Sequence, residues 1–398
     1  MMSDTPNISR QYGLERQLQV YLAGLQGQQP AVPISPQALE QRANEQMTPQ
    51  ARGYLSGMDD TMRANRAAFE RWRIVPRMLR DISQRDLSIQ LLGQQLLFPV
   101  LLAPIGVQSI LHPDAEVAVA RAAASFEMPL ILSTASSKSI EEVSTAIGNS
   151  IRWFQLYWNK DPELNASFVA RAERAGYSAI VVTLDTNLLS WRDQDIQNAY
   201  LPFLQGEGLA NYFSDPVFRS SLAQPPEENA FAAIRRFIEI FGNPALTWPD
   251  LNFLRQHTKL PIFLKGILHP DDALKAIEYG IDGIIVSNHG GRQVDGAIAA
   301  LNALPAVVAA VNGRIPVLFD SGVRRGSDAI KAIALGAKAV LLGRPYLWGL
   351  ALNGEEGVRE VLLNFLADLD LTLALSGYAS FKELDTSALV RESAAGQG

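Results

Sequence analysis

The chain has 398 residues, room for one large domain or two to three ordinary ones, and its 47% hydrophobic and 19% charged residues describe a folded globular protein. A formal charge of −6 with no basic block argues against a nucleic-acid partner, and the absence of cysteine excludes disulfides, thiolate-bound metal, iron–sulfur clusters and thiol nucleophiles, so no metal site is expected. No uncharged apolar run reaches the ~18 residues of a membrane helix, and Met1–Arg10 has no apolar signal region, so a cytoplasmic protein with no membrane partner is expected.

Residues 1–95 read as a helical segment that packs on the rest of the chain. Ser35 as N-cap with Pro36 behind it predicts a polar helix over 37–47, and the pattern of 58–69 predicts a second. From Phe98 the character changes. Eight short apolar runs appear, at 98–103, 129–133, 151–157, 179–184, 261–265, 283–286, 316–319 and 339–342. Near-continuous apolarity suits parallel strands buried on both faces. Amphipathic stretches lie between them, several closed by a glycine (Gly176, Gly280, Gly336) as helices are. Eight strand–helix units predict an α/β TIM (β/α)8 barrel over 96–398, with further helices in 350–398. An open doubly wound sheet is the runner-up, but the dinucleotide glycine fingerprint is missing after the first run. The connection 186–260, after the fourth strand, has seventy-five residues and carries Trp191, Tyr200, Phe203, Tyr212, Phe213 and Phe218. A partly ordered lid is expected there.

In such barrels the chemistry sits at the C-terminal ends of the strands. Those ends read Ala103-Pro104, Ser133-Thr134, Gln155-Leu-Tyr157, Thr183-Leu-Asp185, Lys265-Gly266, Ser287-Asn-His289, Asp320-Ser-Gly322 and Gly343-Arg344. One polar strand end is an ordinary solvated boundary; seven together read as a lined site. His289 precedes two glycines, expected to bring the backbone close to a ligand, and Arg292 offers a planar fork for a carboxylate. His112 and His269 precede prolines at helix starts, and His257 sits in a polar turn, which are weaker contexts. The glycine-rich stretch with Arg324 after the seventh strand, joined to Gly343-Arg344 after the eighth, matches the recurring phosphate site of these barrels. Lys265 could form a Schiff base or hold negative charge on a cofactor, and its position alone separates neither.

Taken together, Ser287-Asn-His-Gly-Gly-Arg-Gln293, Leu264-Lys-Gly, Asp320-Ser-Gly-Val-Arg and Gly343-Arg-Pro resemble the FMN-dependent L-α-hydroxy acid oxidases. The resemblance runs from about Tyr54 to the C-terminal region. Within that family it leans to the lactate 2-monooxygenases, on Arg77-Met-Leu, Ala103-Pro-Ile-Gly106, Asp215-Pro-Val-Phe218, the long 186–260 connection and the run from Lys265 to Asp272. It implies FMN as cofactor, a small L-2-hydroxy acid and O2 as reactants, and a homotetramer or homo-octamer. It implies His289 as base oriented by Asp185, and Arg192, Arg292, Tyr157 and Tyr54 as substrate ligands. Lys265 would sit beside the flavin ring. Pro104, Ile105, Gly106, Ser133, Gln155, Thr183 and Ser287 would line the ring and ribityl chain, and Asp320, Gly322, Arg324, Gly343 and Arg344 the ribityl and phosphate end.

The chain departs from the pattern in three places. The segment after Tyr54 is a few residues short, Ser321 replaces a second glycine and fits if its φ is negative, and the tail lacks a Ser-Lys-Leu address. The implied reaction is L-lactate with O2 giving acetate, CO2 and water. A closing aromatic set including Tyr212, and room beside the flavin left by Gly106 where oxidase relatives carry Ala, favour that outcome. The alternatives are an oxidase releasing pyruvate and hydrogen peroxide, a Schiff-base aldolase using Lys265, and a non-catalytic flavin-binding barrel.

Overall fold

A computed structural model describes residues 11–392. The eight apolar runs form eight parallel strands: β1 (Val100–Leu102), β2 (Leu130–Ser133), β3 (Arg152–Tyr157), β4 (Ile180–Thr183), β5 (Ile262–Ile267), β6 (Gly283–Val286), β7 (Val317–Phe319) and β8 (Ala339–Leu342). They pair in chain order, and β8 closes on β1 with Val340 opposite Val100, giving a closed (β/α)8 barrel. Every residue of β1, β2, β4, β6, β7 and β8 is buried. Side chains pointing inward fill the barrel and those pointing outward meet helices, so neither face needs polar residues. Near its end β5 shifts register against β6 between Lys265 and Ile267, where Gly266 has φ +106°. Such a bulge re-aims a side chain at a barrel rim.

The N-terminal segment forms α1 (Tyr12–Gly24), α2 (Pro36–Gln46), α3 (Pro49–Leu55) and α4 (Asp59–Glu70). Ser35 caps α2 through the Ala38 N–H as expected, and Thr48 caps α3 through Ala51 in the same way, a Thr-Pro signal the sequence reading passed over. The segment is clamped onto the loop after β6. Asn65 and Asn288 exchange amide hydrogen bonds of 2.9 and 2.8 Å, and the Thr61 N–H donates to Asp295 at 2.9 Å. At the other end, helix Arg344–Leu375 breaks at Asn353–Gly354, and strand Leu389–Arg391 pairs antiparallel with Trp72–Ile74. No helix among the described residues is long and apolar enough to cross a membrane. The tail lacking Ser-Lys-Leu lies outside the described residues.

The 186–260 connection, expected as a partly ordered lid, is helical over much of its length. It contains helices Asp193–Gln197, Ala210–Phe213, Pro216–Ser220, Ala230–Ile240 and Leu251–His257. Its middle is pinned to the barrel: Arg171 donates to the Asn211 carbonyl at 2.8 Å and pairs with Asp215 at 3.1 Å, while Asn211 donates to the Thr134 carbonyl at 3.1 Å. Tyr212 is 0% exposed and its hydroxyl donates to Asn159 at 2.9 Å, so it is core and does not close over the mouth. Thr186, Leu189, Arg192, Phe203 and Phe241 of the connection line the cavity at the strand ends.

Candidate active site

One cavity at the C-terminal ends of the strands gathers Tyr54, Pro104, Ile105, Gly106, Tyr157, Arg192, Lys265, His289, Arg292, Asp320, Gly322, Arg324, Gly343 and Arg344. Tyr54 reaches it from α3 despite the shortened segment behind it. Ser133, Gln155, Thr183 and Ser287 are buried at the strand ends but form no part of the cavity wall. Two of these are spent inside the protein: Ser133 donates to Gln155 Oε1 at 3.0 Å, and Ser287 Oγ accepts from Lys265 Nζ at 2.9 Å and from the His289 N–H at 3.0 Å. The other two keep unpartnered buried atoms, Gln155 Nε2 and Thr183 Oγ1.

His289 follows β6 in a left-handed conformation, φ +57°, and its Nδ1 lies 2.8 Å from Asp185 Oδ1. Thr186 Oγ1 also donates to that carboxylate, at 3.2 Å. With Nδ1–H given to Asp185, the free ring nitrogen is Nε2. Burial holds the imidazole below its ordinary value; Asp185 acts the other way, but the charges of Lys265 and Arg292 add to the lowering. Burial alone would raise Asp185, yet the His289 charge and hydrogen bond, with Lys265, keep it below the usual carboxylate value. At neutral pH the pair is a neutral imidazole held by a carboxylate. Lys265 pairs with Asp320 at 3.2 Å. Burial disfavours its charge, but Asp320 and Asp185 outweigh burial and raise it above the ordinary lysine value. A lysine held as a cation is no amine nucleophile, which removes the physical basis of the aldolase alternative.

Ser321 corrects an expectation: its φ is +81°, not negative. The strain comes with a use. Its hydroxyl accepts from the N–H groups of Asn288 (3.2 Å) and Gly290 (3.0 Å), either side of His289, and donates to Asp320 Oδ1 at 2.8 Å. The two glycines after His289 also behave differently from expectation. A Cβ on Gly290 would meet Arg344 Nη1 at 3.1 Å and one on Gly291 would meet the Met62 backbone N at 3.0 Å, so Gly290 admits Arg344 beside the cavity it lines and Gly291 admits α4. Gly106 is a third correction. A methyl there would lie 2.3 Å from the Ala135 carbonyl oxygen, so its absence relieves a backbone contact and opens no space beside a cofactor.

The arginines form two groups. Arg192 donates to Ser190 Oγ at 3.1 Å and to Gln293 Oε1 at 2.9 Å, and its Nη1 lies 3.9 Å from Asp195. Arg292 donates to the Tyr54 and Ser56 carbonyls and stacks 4.8 Å over the Tyr54 ring. Burial, then the Arg192 charge, pushes Arg292 down to about 10. Farther along the cavity, Arg344 donates to the carbonyls of Leu55 (2.7 Å) and Gly290 (2.9 Å), and Arg324 lies 4.7 Å over Trp348. Burial lowers Arg324 to about 10; burial and then the Arg324 charge lower Arg344 to about 9. Each group concentrates desolvated positive charge that an anion would relieve. Sequence reading missed Leu189, Phe203 and Phe241 in the wall and Asp195 beside the arginines. The aromatic content of the connection hinted at the two phenylalanines, and nothing in the sequence singled out Leu189 or Asp195.

These features fit FMN. Gln155 Nε2 and Thr183 Oγ1 lack partners at the strand ends, Lys265 offers a fixed cation, and Arg324 with Arg344 offers the charge a phosphate needs. Comparison with known proteins agrees. The sequence profile of the family described as FMN-dependent dehydrogenase matches residues 43–391. An L-lactate oxidase of Lysinibacillus sphaericus is 45% identical over 362 residues, 90% of this chain and 93% of that protein. The 2-hydroxyacid oxidase 1 of Homo sapiens is 42% identical over 345 residues, 85% and 91% of the two chains. The crystal structure of a mandelate oxidase superposes with a TM-score of 0.79 at 37% identity, covering 91% of this chain and 99% of that one. A barrel whose mouth pairs a carboxylate-held imidazole with two groups of buried arginines, matched over nearly its whole length, belongs to the FMN-dependent dehydrogenase family and is an FMN-dependent α-hydroxy acid oxidoreductase.

Proposed function

We propose that this enzyme oxidises L-lactate with O2 and retains pyruvate long enough to convert it to acetate. The observation that carries the substrate reading is the convergence of Arg192 and Arg292 on the cavity that holds a neutral His289. Lactate offers little apolar surface, so its carboxylate must supply most of the binding, and charge-assisted bonds contribute about 1.5–3 kcal/mol each. The phenols of Tyr157 and Tyr54 line the same cavity and orient the acid. His289 Nε2 accepts a proton as C2 is oxidised, and Asp185 stabilises the imidazolium that forms. Lys265 keeps a fixed positive charge in the cavity, held by Asp320. When bound, FMN supplies the two-electron acceptor between C2 and O2. Oxygen takes up those two electrons with two protons and becomes hydrogen peroxide within the cavity. Peroxide formed beside retained pyruvate oxidises it, so that lactate and O2 give acetate, CO2 and water.

Retention is supported by Leu189, Phe203 and Phe241, which the connection adds to the cavity wall; lids and walls of this kind commonly set release rates. Gly106 and Tyr212 lend it no support. A second reading, release of pyruvate and hydrogen peroxide, is favoured by the relatives named L-lactate oxidase in Lysinibacillus sphaericus and Nostoc. Products measured from L-lactate in air decide between them. Acetate and CO2 in a one-to-one ratio is the expected result; stoichiometric peroxide would establish the second reading, and no oxygen uptake with L-lactate would overturn the substrate assignment.

A further inference from the structure

Behind the substrate wall lies a second cavity of ≈ 270 Å³, formed mainly by Leu188, Leu201, Phe203, Phe237, Ile238 and Phe241. Thr186, Leu189, Phe203 and Phe241 line both this cavity and the one that holds His289, and the two phenylalanine rings, 5.7 Å apart, are the aromatic part of the partition. The two rings are not held alike. Phe203 is 4% exposed and Phe237 1%. Phe241 is only half-buried, and it sits just past the end of helix Ala230–Ile240, where the backbone has turned extended. On its inner side it meets Tyr157 edge-on at 5.5 Å. It also packs on Phe237 at 4.9 Å, so three rings hold it, and its way out of the partition is a rotamer change at the helix end, where it is only half-buried. The space behind it is mostly apolar: its polar side chains are Thr186, Asn187 and Lys160, and Lys160 donates to the Glu239 carbonyl at 3.0 Å. Its volume is about nine times the ~30 Å³ share of one liquid water, enough for a chain of several methylenes.

We infer that this cavity is a side-chain compartment of the substrate site. With the Phe241 ring turned aside it takes the aliphatic chain of 2-hydroxy acids longer than lactate, while the carboxylate stays on Arg192 and Arg292. Phe241 is then the residue that sets chain-length preference. The inference rests on the 2-hydroxy acid reading of the site but not on which product is released.

The test compares kcat/KM for L-lactate and L-2-hydroxyoctanoate in FMN-loaded wild type and Phe241→Ala. Each methylene moved from water into an apolar space is worth roughly a fourfold factor, so the octanoate-to-lactate ratio should rise about tenfold or more in Phe241→Ala. The milder Phe241→Leu should move it the same way by less. Adding Leu201→Trp, which fills the compartment, should cancel the gain. Binding of 2-oxooctanoate against pyruvate, read from the flavin absorbance, should show the same ordering without turnover. A protein that binds neither oxoacid refutes the 2-hydroxy acid reading itself. One that binds pyruvate but keeps its chain-length preference in both Phe241 variants, or keeps the gain after Leu201→Trp, overturns the compartment.

Discussion

His289 and Ser321 both occupy the left-handed backbone region, which costs a non-glycine residue on the order of 1–3 kcal/mol and tends to mark functional sites. For His289 the return is its bond to Asp185, and His289→Asn should retain FMN while losing turnover by about 10²-fold or more; a comparable loss from His112→Asn would show the base to be elsewhere. The base must be neutral, so activity is lost as pH falls through the His289 pKa. Because burial places that pKa below the ordinary 6.5, the acid limb of kcat/KM should lie below pH 6.5. Asp185 is the group that raises it. Asp185→Asn should therefore move the limb to still lower pH while kcat falls, and a limb that moves upward would contradict the pairing. Ser321 tests positioning separately from folding. Ser321→Gly relieves the strain but removes the hydroxyl that ties both sides of His289 to Asp320. The expected result is an unchanged or higher Tm, an unchanged KM and a kcat lower by about three- to tenfold, the size of one or two lost hydrogen bonds; Ser321→Ala should lose Tm as well. A Ser321→Gly enzyme with wild-type kcat would leave the hydroxyl no role in the reaction.

Among the elements, the loops after β1 and β2 are joined by a buried carboxyl: Glu116 Oε1 accepts from the N–H groups of Gln108 (3.3 Å) and Ser137 (3.1 Å). Burial raises Glu116 from 4.5 to about 7, against the opposing pull of those N–H groups. A carboxyl that keeps its proton longer in the folded state contributes stability fully below about pH 4.5 and loses it as pH rises through about 7. Glu116→Gln keeps an acceptor and cannot ionise. The Tm difference, variant minus wild type, should therefore grow between pH 5 and pH 8, whereas a difference that stays flat would mean Glu116 is already charged in the fold. None of this was legible in the sequence, where Glu116 is one acid on an alanine-rich helix. The strands were legible within one to two residues, because each is a buried apolar run and all but β1 stop at or next to a polar rim residue. The connection was legible as an insertion and not in its packing. What separates Tyr212, which is core, from Phe241, which is wall, is contact with Asn159 in one case and Tyr157 in the other, and both partners lie more than fifty residues away in the chain.

For the whole molecule, the parallel pairing of β7 with β8 brings the loops that follow them side by side, and so places Arg324 close enough for its charge to disfavour that of Arg344. That Arg324 and Arg344 share one cavity was legible, since the order of strands sets it. The electrostatic cost was not, because that depends on how deeply α3 and the Arg344–Leu375 helix bury the two side chains. The apoprotein therefore carries unfavourable charge that a phosphate dianion would neutralise, and FMN is expected to act as part of the fold. Binding at one hundred times Kd stabilises by about 2.7 kcal/mol through mass action alone, so Tm should climb as FMN is added to stripped protein. Arg324→Met distinguishes the charge from the packing. Methionine can still cover Trp348, on which the guanidinium lies at 4.7 Å, but it removes one of the two repelling cations. The Tm of the apoprotein should stay level or rise, the FMN-induced gain in Tm should shrink, and FMN should be lost more readily on dialysis, with kcat little changed at saturating FMN. If apoprotein and holoprotein lose Tm equally in Arg324→Met, the arginine serves the Trp348 contact and the phosphate is held by other groups.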